Sequence, residues 1–317
     1  MTGVFILGEE NDPHTEIVAT KCRKAGTSVF VGTHFSAEQL GAITYANDGK
    51  KQTSFAFTAS ADEFTSLWNR LKPISLDELS EVQLFILRER RDFLMSVVAC
   101  FVPVERRLND PWAQDLARMK PFQLWLARHV GLDIPKTIVT DRAERVLSFF
   151  GEEEATIYKP VTWLATLNGE MLFTNRIERA EISRRSEHIS RAPGIYQAEV
   201  LKACEYRVTI VDDTIFPVRI FSQDRSDTSL DWRRNQFGLK YEIAKLPDEI
   251  ERKLFEIMRL SRLRFGAFDL IEQPNGDFVF LEVNPAGNWL WLENGWAFES
   301  PIASSVHCSN DTDRPKQ

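Results

Sequence analysis

Asp269, Glu282 and Asn284 lie on two apolar runs that flank an Asn275-Gly276 pair. All three side chains offer hard oxygen donors, which suit magnesium better than zinc or copper. An Asn-Gly pair between apolar runs predicts a two-residue hairpin of type I′, in which both central residues take positive φ. That loop would pair Asp277 with Pro274, Phe280 with Ile271 and Glu282 with Asp269. Two carboxylates would then face one another, an arrangement that destabilises a strand pair unless a cation or unusually good solvation compensates. The period of two places Asn284 beside Glu282, and it gathers Phe268, Leu270, Val279, Leu281 and Val283 on the opposite, apolar face. A second stretch, Ala155-Thr-Ile-Tyr-Lys159-Pro160, reads as a strand delivering a lysine at its end. Another pair, Asn168-Gly169, predicts a hairpin flap after it, and an ammonium beneath a flap is a phosphate clamp. Taken singly, an exposed lysine or an acid on a solvated strand needs no function.

Composition narrows the setting. The chain has 317 residues and a formal net charge of −7, which disfavours nucleic acid or an anionic membrane as the main partner. Cys22, Cys100, Cys204 and Cys308 are scattered without metal-ligand spacing, so no disulfide framework is expected. The opening residues carry no signal-peptide pattern and no apolar run reaches membrane-spanning length, which reads as a cytoplasmic protein.

The elements that must position these residues follow from periodicity. Val4 to Leu7 and Thr27 to Val31 flank a helix from about Thr15 to Ala25, a βαβ opening without a dinucleotide fingerprint. From Asp77 to Cys100, Leu79, Val82, Phe85, Ile86 and Phe93 recur at helical spacing and predict one long amphipathic helix or two, with an apolar stripe. The pattern breaks near Asn109, and a new helix carries Lys120 and stops around Gly131. A strand over Ile134 to Val139 follows, then a helix capped by Asp141 that runs to Phe150. Glu181 to Ala192, polar and basic, reads as a mobile loop in which Arg184, Arg185 and Arg191 offer charge to an acidic substrate. Strands at Tyr196 to Val200, Arg207 to Val211 and Ile215 to Phe221 come next, Pro217 marking an edge. A helix from Pro247 to Leu263 leads into the carboxylate hairpin. Trp289, Trp291 and Trp296 read as packing residues or as a substrate platform, and the tail after Pro301 reads as frayed. Boundaries near 108 and 194 divide the chain into 1–108, 109–194 and 195–317.

In this order the lysine strand, the Gln197 to Arg207 stretch and the Asp269, Glu282, Asn284 trio resemble the ATP-grasp superfamily. The chain is most similar to the graspetide, or microviridin-type, peptide ligases. The likeness includes Leu67-Trp-Asn-Arg-Leu-Lys-Pro73, Lys120-Pro-Phe-Gln-Leu124, Gly131-Leu-Asp-Ile-Pro135, Ser222-Gln223, Asp231-Trp-Arg233 and Phe280-Leu-Glu-Val-Asn-Pro-Ala-Gly-Asn-Trp-Leu-Trp-Leu-Glu293. It implies an α/β (α+β mixed) ATP-grasp fold with an N-terminal βαβ-like domain, a small central domain and a C-terminal ATP-grasp domain. It also implies ATP and Mg2+. Lys120 and Lys159 would hold the phosphates, Gln197 with the backbone of Ala198, Glu199 and Val200 would frame the adenine, and Glu205 would hold the ribose. Lys202 joins the nucleotide side. Arg207 would meet the transferring phosphoryl group, Asp269, Glu282 and Asn284 would carry magnesium, and Arg219, Asp231 and Arg233 would line the acceptor side. The implied reaction activates a carboxylate as an acyl phosphate, which an amine or hydroxyl of the same precursor peptide then attacks, closing a lactone or lactam. The implied partner is a precursor peptide with a leader and an acidic, hydroxyl or lysine core, and the implied assembly is a homodimer. Ala198 replaces an acidic residue usual at the adenine hinge, and the flap from Val161 to Leu167 lacks glycine. These departures keep open a nucleotide-binding module without turnover, beside a ligase that joins a free amino acid to a peptide.

Overall fold

The computed structural model describes residues 3–9, 11–32, 42–45, 51–54, 64–71, 79–162, 166–167, 170–171, 174–235 and 238–293. The Asn168-Gly169 turn, Asp77, Trp296 and the tail after Pro301 lie outside them. The chain divides into two compact units, Met1–Pro111 with the stretch from Ala286 onward, and Trp112–Pro285.

In the first unit β1 (Gly3–Leu7), α1 (Pro13–Lys24) and β2 (Ser28–Gly32) form the expected βαβ opening. Asp12 caps α1, accepting from the His14 amide at 2.9 Å, with Pro13 in the first turn. After the β3 (Ala42–Tyr45) and β4 (Lys51–Ser54) ribbon come β5 (Phe64–Asn69), α2 (Glu81–Phe101) and β6 (Arg107–Leu108), and the main sheet runs β2-β1-β5-β6, all parallel. A Ser80/Gln83 capping box starts α2. It is one continuous helix, and none of the residues that set the expected apolar stripe is buried: Leu79 and Phe93 are half-buried and Val82, Phe85 and Ile86 exposed. Leu94, Val97 and Val98 are buried, whereas Val82 and Phe85 are 67% and 63% exposed. The reason is length: strands of five or six residues span about 17–20 Å, while 21 helical residues run about 30 Å. The helix overshoots the sheet it covers.

Arg70, 2% exposed, is the polar hub of this unit. Its guanidinium donates to Asp12 Oδ2 (3.1 Å), Asn288 Oδ1 (2.8 Å) and the Ala286 carbonyl (3.2 Å). His14 pairs through Nδ1 with the same Asp12, and its Nε2 accepts from the Trp289 and Leu290 amides. Trp289 itself is buried edge-on to the His14 ring, so it serves packing. Replacing Arg70 by methionine strands Asp12 without its cation and should lower the unfolding free energy by about 3–5 kcal/mol. Urea denaturation checks this, and a loss no larger than that of a surface substitution would remove Arg70 as the hub.

The second unit opens with α3 (Pro111–Ala117) and α4 (Lys120–His129). A four-stranded sheet of order β11-β8-β12-β7 follows, from β7 (Thr137–Thr140), β8 (Thr156–Pro160), β11 (Asn175–Ile177) and β12 (Gly194–Ala198). Between β8 and β11, β9 (Thr166–Leu167) pairs antiparallel with β10 (Glu170–Met171), as a flap requires. Here α5 (Ala143–Phe149) corrects one expectation: Arg142, not Asp141, is its N-cap residue, and the Arg142 amide is met by Thr140 Oγ1. The basic stretch is also more ordered than expected. It forms α6 (Arg179–Arg184) and α7 (Ser186–Ile189), with Arg185 paired to Glu181 and Arg191 to Glu187 at helical spacing.

Five antiparallel strands complete the unit in the order β15-β14-β13-β16-β17, from β13 (Cys204–Val211), β14 (Thr214–Ile220), β15 (Tyr241–Ile243), β16 (Phe265–Glu272) and β17 (Phe278–Asn284). Pro217 does not mark the sheet edge. β15 lies outside β14, but it pairs only from Val218 onward, so the missing proline N–H falls beyond that ladder. Helix α8 (Asp248–Ser261) packs with α4 on one sheet face, where Leu124, Leu254, Ile257 and Met258 meet Tyr206, Val208, Phe268, Leu270 and Phe280. Gly266 permits the approach, since a Cβ there would meet Met258 Sδ at 2.8 Å. The other face carries the polar residues. No helix among the described residues is long and apolar enough to cross a membrane.

Candidate active site

The hairpin between β16 and β17 reaches the expected pairing by a different route. Gly276 donates to the Gln273 carbonyl and Gln273 to that of Asp277, so the loop takes three residues, with only Gly276 at positive φ (+86°). This shifts the ladder by one: Phe280 faces Leu270 rather than Ile271. Leu281 is then a bulge that shifts it back, and Asp269 faces Glu282 as expected. The bulge also redistributes the faces. Phe280 joins the apolar core with Phe268, Leu270 and Val283, while Leu281 and Ile271 line the cleft.

Cross-strand pairing aligns Arg207, Asp269 and Glu282 in one row of that cleft face, with Glu205 and Ile271 in the next. The compensation that opposed carboxylates demand comes from two arginines. Arg207 Nη1 donates to both Asp269 oxygens, at 3.0 and 3.1 Å. Arg233 is gripped at two points by Asp231, at 2.9 and 2.8 Å, and extends Nη1 to Glu282 Oε1 at 3.2 Å. Asp231 is further held by the Thr174 amide.

Desolvation raises the Asp269 carboxyl above its ordinary value despite Arg207. Burial acts likewise on Glu282, but Arg233, Lys120, Lys159 and Arg207 together outweigh it and hold Glu282 ionised below the usual range. The Arg233 pair does the same for Asp231, well below the usual carboxylate range against the pull of burial. Burial lowers both lysines, Lys159 to about 8.

From the four-stranded sheet, Lys159 and Ile157 on β8 and Gln197 on β12 share a face, and Lys120, at the start of α4, donates to the Pro160 carbonyl at 3.2 Å. Gln197 is 1% exposed. Its Nε2 donates to Thr137 Oγ1, while Oε1 is buried without a hydrogen-bond partner among the described residues. The hinge backbone is partly committed, since the amides of Ala198 and Glu199 donate to the carbonyls of Lys136 and Ala155. The Glu199 side chain turns outward to Arg176 at 2.6 Å. Glu205 accepts from Lys202 (2.5 Å) and Ser222 (3.0 Å), and burial raises its carboxyl.

Of these groups, Lys159, Glu199, Lys202, Glu205, Asp231, Arg233, Asp269 and Glu282 line one open cleft, together with Val200. Lys120, Gln197, Arg207 and Asn284 are not among its lining residues, although Arg207 is tied to Asp269 and Lys120 to the strand end that bears Lys159, and Arg219 lies on the opposite face of its sheet. Arg219 pairs across strands with Tyr206, on the helix-packed face, donating to Tyr206 Oη at 2.8 Å and approaching Glu272. The alternation that puts Arg207 on the cleft face puts Arg219 on the other. Gln123, Thr174, Ser222 and Leu281 also belong to the site or its supports. Gln123, Ser222 and Leu281 fall inside stretches that carry the resemblance, but a bulge or a side-chain clamp has no local signature, so their roles are not legible in the sequence.

No family model matches the chain, and no curated protein matches it in sequence. Solved structures match it over nearly its whole length. A RiPP-associated ATP-grasp ligase of Chryseobacterium gregarium, in complex with ADP and a leader and core peptide, superposes with a TM-score of 0.84 at 24% identity, over 97% of this chain and 96% of that one. The macrocyclase MdnB of Microcystis aeruginosa gives 0.73 at 26%, over 97% and 99%. The ATP-grasp ligase PsnB, complexed with a minimal precursor, Mg and ADP, gives 0.77 at 22%, over 97% of each chain. The chain has the ATP-grasp fold, in the form these ligases share.

Proposed function

We propose that the protein is an ATP-dependent ligase that cross-links side chains of a ribosomally made precursor peptide, forming lactones or lactams with release of ADP and phosphate. The observation that carries this reading is the cleft in which Lys159, from the four-stranded sheet, meets the opposed carboxylates Asp269 and Glu282 of the five-stranded sheet, with Arg207 tied to Asp269. Structural likeness to ligases holding ADP and precursor peptides supports it. Lys120 and Lys159 hold the phosphates, the Val200 side of the hinge and the orphan oxygen of Gln197 take the adenine, and Glu205, steadied by Lys202 and Ser222, takes the ribose. Asp269 on β16 with Glu282 and Asn284 on β17, all oxygen donors on one face of the hairpin, fit magnesium. The ion supplies charge neutralisation across the phosphates. Arg207 stabilises charge on the phosphoryl group as it passes to the substrate carboxylate. Asp231 holds Arg233 toward the acceptor. In this reading the boundaries near 108 and 194 separate three functional parts, the enzyme works in the cytoplasm, and it assembles as a homodimer.

The test is the mass of the candidate precursor peptide after incubation with enzyme, ATP and magnesium, comparing wild type with Asp269→Asn. One water lost per ring with wild type, and none with the variant, is expected. ADP release with an unchanged peptide mass would replace this reading with a free amino-acid ligase, and no ADP at all with a binding module.

A further inference from the structure

β17 is the outermost strand of its sheet, so its outward N–H and C=O groups need partners from outside the ladder. Phe280 finds one in the Asp133 carbonyl at 2.8 Å. At Val283 the partner is a single side chain. Gln123 Oε1 accepts from the Val283 amide at 3.1 Å, and Gln123 Nε2 donates to the Val283 carbonyl at 2.7 Å and to the Ala117 carbonyl at 2.7 Å. The glutamine, 3% exposed, imitates a neighbouring strand at the one residue that separates Glu282 from Asn284. It sits one helical turn after Lys120 on α4, so the helix that carries Lys120 also grips the strand that carries two of the oxygen donors.

We infer that Gln123 is a positioning residue that fixes Glu282 and Asn284 against Lys120, an inference resting on the reading of this hairpin as a metal site. The Val283 side chain packs in the core, but apolar contact is non-directional and permits a strand to slide along its axis. A two-point amide clamp does not. Its loss frees the outer strand at the place where donor spacing matters, while the opposed Asp269 remains tied to Arg207 from the inner strand.

The experiment measures ADP binding by calorimetry as magnesium is titrated, together with hydrogen exchange at the Val283 amide, in wild type, Gln123→Met and Gln123→Glu. For Gln123→Met, ADP affinity without magnesium stays within about twofold, the magnesium concentration at half effect rises about ten- to hundredfold, and Val283 exchanges faster. Gln123→Glu keeps an acceptor for the Val283 amide but sets a carboxylate oxygen against the Val283 and Ala117 carbonyls, so its magnesium shift is at least as large as that of Gln123→Met. It also carries the test should the methionine variant not fold. A folded variant with wild-type magnesium dependence overturns the positioning role, whatever its stability. A wild type whose ADP binding ignores magnesium overturns the metal reading itself, and this role with it.

Discussion

Arg207→Met should lower the rate of ADP release and of peptide cross-linking about 10²–10³-fold, the usual loss when a preorganised donor to developing charge is removed. The same change should cost about 3–5 kcal/mol of folding stability, because Asp269 is left buried without its cation. Both effects come from one guanidinium, so a rate loss alone would not separate chemistry from unfolding. The sign of the pH dependence helps. Asp269 already has a raised carboxyl, and without Arg207 it rises further. In the window above the unfolded value of 3.8 the folded state then binds more protons than the unfolded state, so stability falls as pH rises. The destabilisation seen at neutral pH should therefore shrink in mild acid, where the stranded carboxyl is neutral. The double variant Arg207→Met with Asp269→Leu removes both charges and should recover stability to within about 1 kcal/mol of wild type, yet still turn nothing over. Urea melts at two pH values and a single-turnover assay decide it. Cross-linking at the wild-type rate by the single variant would strip Arg207 of its role.

The hairpin shows how a site can be legible while its construction is not. Asn275-Gly276 signals a turn, but it does not say whether Pro274 belongs to the loop, and it does; nothing local marks Leu281 as a bulge. Each feature displaces the register by one residue, in opposite senses, so Asp269 and Glu282 still face each other. The apolar partners between them do not, and Phe280 takes the core place expected of Val279 and Leu281. Arg219 fails for a related reason. Its charge and its neighbourhood in the chain suit a cleft, but its parity against Tyr206 assigns it to the other face, and that parity needs the strand pairing. On α2 the periodicity of Val82, Phe85 and Ile86 is genuine, yet the length of the sheet beneath decides how much of the stripe is covered. Pattern sets which residues share a face. What lies opposite that face is a property of the assembled chain.

Nucleotide affinity should fall as the solution is made alkaline from about pH 8, through Lys159. Burial lowers this ammonium from 10.5 to about 8, against the opposing pull of Glu282. Polyphosphate in the cleft would favour the charged form again, so above about pH 8 binding must take up a proton. Affinity then drops by up to about tenfold per pH unit until the bound-state value is reached. Folding responds with the opposite sign. Between about 8 and 10.5 the unfolded chain holds a proton at this lysine that the folded chain has lost, so the residue's contribution to stability increases with pH in that window. Weaker binding alongside an undiminished fold is thus the signature of Lys159, and general alkaline unfolding would move both downward. Calorimetry of ADP binding in buffers of different ionisation enthalpy reads the proton uptake directly. Lys159→Met should bind more weakly at neutral pH, show no uptake from this group, and lose the slope. A wild-type affinity that stays flat between about pH 7 and about pH 10 would mean that Lys159 does not face the phosphates.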